Sequence, residues 1–175
     1  MNDKLEFLKN RTSCRSYTDE MPSKELLEKI AEAGIYAASG SNKQGVKIIF
    51  VTNKELRDKL EDLNRKAVGM PEDATPFYGA PAVAVVLGNK DVATYIYDGS
   101  LVLGNMMLAA DALDLGNCWI HRAKQEFETE EGKALLKELG IEGEWEGIGN
   151  FIVGYRAGEK AAPKERLADR VYFVE

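Results

Sequence analysis

Apolar residues recur three and four apart over residues 23–38, at Leu27, Ile30, Ala31, Gly34 and Ile35, the spacing of one helix face. Ser23 stands at the N-cap position of that helix. The same period predicts a short helix over 3–10, with Leu5 and Leu8 on one side and Asp3 and Glu6 at capping-box spacing. It predicts a third over 53–67, capped by Asn53 with Leu56, Leu60 and Leu63 inward, and another over 129–139, capped by Thr129 and stopped at "LGI". The longest helical stretch, 91–115, puts Val102, Met106, Ala109, Ala110 and Leu113 on one face, with Gly116 as its stop. Its middle is apolar nearly all round, as expected of a helix buried inside the protein or a dimer.

Three segments lack helical period and are apolar on both alternating faces: "VKIIFVT" from Val46, "PAVAVVLG" from Pro81 and "GIGNFIVGY" from Gly147. They read as buried strands, and proline is tolerated at a strand's first position. "SGSNKQG" and residues 69–80, "GMPEDATPFYGA", read as loops. "NCWIHRA" reads as extended or irregular, and the tail 156–175 ends in strand-like "VYFV". Few covered strands among more numerous helices predict one sheet with helices on both faces. The tail strand is expected to need another surface, such as a neighbour's sheet in an obligate dimer.

Composition narrows the class. The chain has 175 residues, 45% hydrophobic and 30% charged, which fits one soluble domain over 1–175. The net charge of −6 argues against a nucleic-acid partner. Its longest uncharged run, "GSLVLGNMMLAA", is too short to span a bilayer, and the charged opening lacks a signal peptide's apolar core. Cys14 and Cys118 form no disulfide framework, which suits a reducing cytoplasm.

Candidate chemistry is sparse for a protein nucleophile. His121 is the one histidine, so any Cys-His or Ser-His pair must use it. Cys118 and Trp119 read as packing residues, and His121 as a surface or packing histidine. No metal-ligand spacing and no glycine-rich phosphate loop occurs. Three separated segments do carry anion- and amide-recognition groups: "RTSCRS", with Arg11, Thr12, Ser13 and Arg15; "SGSNKQ", with Ser39, Ser41, Asn42 and Gln44; and "PKER", with Lys164 and Arg166. Arginine offers phosphate a planar charged fork. In an extended segment Arg11, Ser13 and Arg15 share one side. Two converging forks suit a phosphate monoester; taken singly, each segment is more often a surface charge cluster.

In this order, "RTSCRSY", "ASGSNKQGVKIIFV", "FYGAPAVAVV", "DGSLVLGNMMLAADALDLG", "NCWIHRA", "GIGNFIVGY" and "KER" make a chain that resembles the nitroreductase family of FMN-dependent oxidoreductases. The resemblance spans essentially the whole chain. Gly45 and Val46 stand where the family usually has Pro-Trp. The resemblance implies an α+β fold of three α-β-α layers: a small central mixed sheet, a long buried central helix and a C-terminal strand exchanged with the partner subunit.

It also implies a site. Arg11, Thr12, Ser13 and Arg15 would hold the FMN phosphate and ribityl oxygens, and Lys164 and Arg166 would close on the phosphate. Asn64 would read the flavin ring edge. Ser39, Ser41, Asn42 and Gln44 would come from the partner subunit, and backbone around Ile120, His121 and Arg122 would donate to flavin N5 or O4. Phe77 and Tyr78 would wall a substrate pocket, or fill a core or dimer seam. The implied activity is ping-pong hydride transfer from NAD(P)H through flavin N5 to a nitroaromatic, quinone or enone acceptor, in a cytoplasmic homodimer without nucleic-acid or membrane partners. Arg15 would lend electrostatic support, and no catalytic side chain is required. An FMN-binding storage or sensor protein, or a helical dimerisation module without cofactor, would also accommodate these residues.

Overall fold

The computed structural model describes residues 3–175. Its four strands are β1 (Val46–Val51), β2 (Ala82–Asn89), β3 (Gly116–Ile120) and β4 (Trp145–Gly154), ordered β1-β2-β4-β3 across one sheet. The helices are α1 (Asp3–Asn10), α2 (Lys24–Ile35), α3 (Lys54–Lys66), α4 (Tyr95–Ala112), α5 (Ala123–Glu128) and α6 (Glu130–Glu138).

Strand β2 shows why the layers are three. Val83, Val85 and Leu87 point into one core with Leu60 and Leu63 of α3 and Leu135 of α6. Ala82, Ala84 and Val86 point into the other with Ile30 of α2 and Leu103 and Met106 of α4. A strand with no polar face must be covered twice, and burying each large aliphatic side chain contributes about 1.5–3 kcal/mol. The expected caps hold: Ser23 Oγ accepts from the Leu26 N–H at 3.3 Å, Asn53 Oδ1 from Leu56 at 2.9 Å and Thr129 Oγ1 from Gly132 at 3.0 Å.

Several expectations need correction. All three pairings in the sheet are antiparallel, so these strands form no mixed sheet. β1 is an edge strand and only partly buried, whereas β3 at the opposite edge is covered. Gly116 opens β3 instead of stopping α4; Asp114, at φ 59°, makes the left-handed turn. α2 ends at Ile35, three residues early, and Ile35 is exposed. Helix α5 is an addition, within residues expected to be irregular or unassigned. As for the tail, "VYFV" forms no strand pairing among the described residues, and Phe173 and Val174 are 88% and 97% exposed.

A bulge at Ile148 marks where α5 meets the sheet, since Val86 pairs with Gly149 and Leu87 with Gly147. A Cβ on Gly147 would lie 2.3 Å from the Ala123 carbonyl oxygen, so only glycine admits the start of α5. Gly147→Ala is expected to push α5 off β4 and cost about 1–3 kcal/mol, read by urea denaturation. An unchanged midpoint would show that α5 needs no such approach.

Candidate cofactor site

Residues Arg11–Ser16 run extended beside the exit of β4. The Cys14 N–H donates to Asn117 O of β3 at 2.8 Å, and Thr18 N–H to Tyr155 O at 2.9 Å. The Ala157 N–H returns a bond to Ser16 O at 3.1 Å, and Tyr17 pairs with Arg156 in an isolated bridge. Thr12 Oγ1 donates to Ala161 O at 3.1 Å. A cavity of about 350 Å³ lies between the two stretches, lined by Thr12, Ser13, Arg15, Arg156 and Lys160 among others. Arg156 and Lys160 both reach buried Asp111 of α4, at 3.0 and 2.7 Å. That carboxylate pairs with both cations, which leaves one net positive charge, and pins the chain leaving β4 against the arginine segment.

Arg11 Nη1 is buried and has no hydrogen-bond partner among the described residues. A guanidinium nitrogen withdrawn from water without an acceptor is costly, so the position is poised for an anion. Arg15, exposed, lies over the Tyr78 ring at 5.9 Å from its centroid. Tyr78 is 40% exposed and held at φ 53°. Its neighbour Phe77 is different: it belongs to the core and its N–H donates to Glu61 Oε1 at 2.7 Å. Of the two aromatics, Tyr78 alone faces the surface, beside Arg15.

Asn64 is wholly buried on α3. Its Nδ2 donates to the His121 carbonyl oxygen at 2.9 Å and to Glu126 Oε1. Asn150 Nδ2 of β4 donates to the same oxygen at 2.6 Å. Burial pushes the Glu126 carboxyl up to about 7, against the two amide hydrogen bonds, which pull it down. Asn64 therefore meets the 120–122 turn from behind. Ile120 ends β3 and is buried, His121 is exposed, and Arg122 adopts φ 85°.

The sequence reading missed Glu126, Asn150 and the Asp111 clamp. Asn150 had a signal, as the one side chain with polar atoms in the apolar stretch "GIGNFIVG". Glu126 had a weaker one: it shares a helix face with Ala123 and Phe127, both buried.

No hydrogen bond joins the other expected residues to this cluster among the described residues. Ser39, Ser41, Asn42 and Gln44 form a loop against the start of α4, where Gly40 N–H donates to Asp98 Oδ1 at 3.0 Å. Gln44 bonds within the loop, through its N–H to Ser39 Oγ and its Nε2 to Asn42 Oδ1. Ser41, Asn42 and Gln44 are all left-handed, at φ 50°, 54° and 51°. Such conformations in non-glycine residues cost free energy and persist at constrained, often functional, sites. Lys164 and Arg166 are exposed, with no ion pair among the described residues. The chain thus gathers Arg11–Arg15 with Tyr78, and Asn64 with the 120–122 turn, but not the 39–44 loop or the late cations.

Comparison with known proteins agrees with this architecture. The chain is 30% identical to an FMN reductase [NAD(P)H] of Bacillus subtilis, covering 95% of this chain and 71% of that protein. A crystal structure of a nitroreductase with bound FMN from Bacteroides fragilis superposes with a TM-score of 0.90 at 27% identity, over 100% of both chains. A nitroreductase with bound FMN from Desulfitobacterium hafniense gives 0.88 at 29% identity, again over 100% of both. Residues 8–155 match the model of the Nitroreductase family. With the arginine segment, the doubly covered sheet and the turn after β3 all within that span, the chain belongs to the nitroreductase family.

Proposed function

We propose that this chain is an FMN-dependent NAD(P)H oxidoreductase whose acceptor is a small organic molecule of the nitroaromatic, quinone or enone class. When bound, FMN supplies hydride chemistry at N5: NAD(P)H, a proton and the acceptor become NAD(P)⁺ and the reduced acceptor, in two half-reactions. The observation that carries the reading is the buried, partnerless Arg11 Nη1 in a backbone segment already tied at Cys14 and Thr18. It offers a fixed donor to a phosphate dianion. Family membership and the FMN-bound neighbours supply the rest.

The chain's own residues bind and orient. Arg11, Thr12 and Ser13 hold the phosphate end. Arg15 sets positive potential beside the ring, where negative charge develops on reduction. Tyr78 lies beside it and walls the acceptor side. Phe77 supports that loop from the core. The exposed apolar tail, Leu167 to Val174, and the remote 39–44 loop support a homodimer in which the partner completes each site with Ser39, Ser41, Asn42 and Gln44. Lys164 and Arg166 precede that tail and close on the phosphate once it docks.

The test is a purified sample. It is expected to be yellow, to release FMN on heating and to sediment at twice 19.4 kDa. Reduction by NADH or NADPH and reoxidation by a quinone should give parallel double-reciprocal lines, with Arg15→Ala slowing the reductive half. A colourless protein that takes up no added FMN would end the reading. Bound FMN without turnover on any acceptor class would favour a storage or sensor protein.

A further inference from the structure

We infer that Glu126 is a positioning residue of this site: one oxygen of its carboxyl ties Asn64 and Asn150 into a buried bracket that fixes the His121–Arg122 peptide and aims its N–H outward. What that N–H meets rests on the flavin reading above; the bracket stands on geometry.

Three elements converge on Glu126 Oε1. Asn64 comes from α3, Glu126 from α5 and Asn150 from β4, and all three are wholly buried. Asn64 Nδ2 also holds the His121 carbonyl oxygen at 2.9 Å. In a trans peptide the C=O and N–H point oppositely. No peptide among the described residues is cis. Pinning the His121 carbonyl inward therefore turns the Arg122 N–H away from the interior. No acceptor takes that N–H among the described residues. The Glu126 backbone N–H donates to the Arg122 carbonyl at 3.1 Å, the first turn of α5, so the peptide on the other side of Arg122 is held by the helix itself.

Packing alone does not call for this arrangement. Arg122 sits at φ 85°, a conformation unfavourable for a side-chain-bearing residue unless the surroundings impose it. Glu126 Oε2, Asn64 Oδ1 and Asn150 Oδ1 are buried without partners. A leucine would fill the same space without the desolvation cost of a carboxyl. Close approach of α6, where a Cβ on Gly132 would lie 2.0 Å from the Glu126 carbonyl oxygen, holds the backbone of Glu126 in place. The strained turn and the costly polar cluster occur together because the second holds the first. Burial, which raises the carboxyl to about 7, leaves it an acceptor for both amides in either protonation state.

The test compares Glu126→Gln, which keeps an acceptor oxygen, with Glu126→Leu, which keeps only volume. In flavin-free, isotope-labelled protein, the Asn64 and Asn150 side-chain amides should exchange slowly in the unmodified chain and in E126Q. In E126L they should exchange at least about tenfold faster, with the Arg122 amide resonance displaced. In FMN-loaded protein, E126L should slow reduction by NADH on the order of 10- to 100-fold per bound flavin, with FMN affinity nearly unchanged because the phosphate grip is remote. E126Q should restore the rate to within about threefold. Amides that exchange alike in all three proteins overturn the bracket. A lower melting temperature in E126L with an unaltered rate per bound flavin assigns Glu126 to stability alone and overturns the positioning role. Failure of the unmodified chain to bind FMN overturns the cofactor reading and the role with it; the amide measurement separates that outcome from failure of the bracket.

Discussion

Arg11→Ala is expected to weaken FMN binding on the order of 10- to 100-fold while leaving riboflavin binding unchanged. A hydrogen bond from a charged donor contributes about 1.5–3 kcal/mol, and the donor here needs no reorganisation. Cys14 and Thr18 fix the segment's backbone to Asn117 and Tyr155, and Thr12 fixes it to Ala161. Arg11 Nη1 waits inside that frame without a partner. Riboflavin lacks the phosphate, so the two ligands separate a phosphate contact from general damage to the site. Removing an unsatisfied buried donor should also leave the flavin-free protein no less stable. Isothermal titration with both ligands is the measurement. An equal loss for both, or no loss for FMN, would place the phosphate elsewhere.

The second large effect concerns pH. Glu126 moves from an ordinary 4.5 in the unfolded chain to about 7 in the folded one, because burial disfavours its charge. Between those values the folded chain keeps a proton that the unfolded chain has lost, so stability falls as pH rises through that window. Above about 7 both states are ionised and the loss is complete. At roughly 1.4 kcal/mol per pH unit the full difference is about 3 kcal/mol. Glu126→Gln cannot ionise and still accepts from both asparagines. It should match the unmodified chain near pH 4.5 and exceed it by up to about 3 kcal/mol at pH 8. Urea denaturation from pH 4.5 to 8 at fixed ionic strength decides this; two parallel curves would show that Glu126 does not titrate in the window.

The sequence by itself determined the layers. Periodicity in "KELLEKIAEAGI" and "NKELRDKLEDLNRKA" and the unbroken apolar run of "PAVAVVLG" specify which segments are helix and which strand must be covered twice. Caps at Ser23, Asn53 and Thr129 were legible because each bonds within its own first turn. The ordered motifs pointed to the family and to Arg11–Arg15. What tertiary structure alone decided depends on neighbours distant in the chain. β1 is only partly buried while β3, at the other sheet edge, is covered, a difference that no local pattern encodes. Phe77 and Tyr78 are adjacent, yet one fills the core and the other meets Arg15, because a left-handed turn at Tyr78 sends them apart. Asn64 sits in a helix that reads as charged, and only the arrival of α5 and β4 gives it Glu126 and the His121 carbonyl as partners. Short-range hydrogen bonds and side-chain spacing are properties of a segment; burial of a polar group is a property of whatever packs over it.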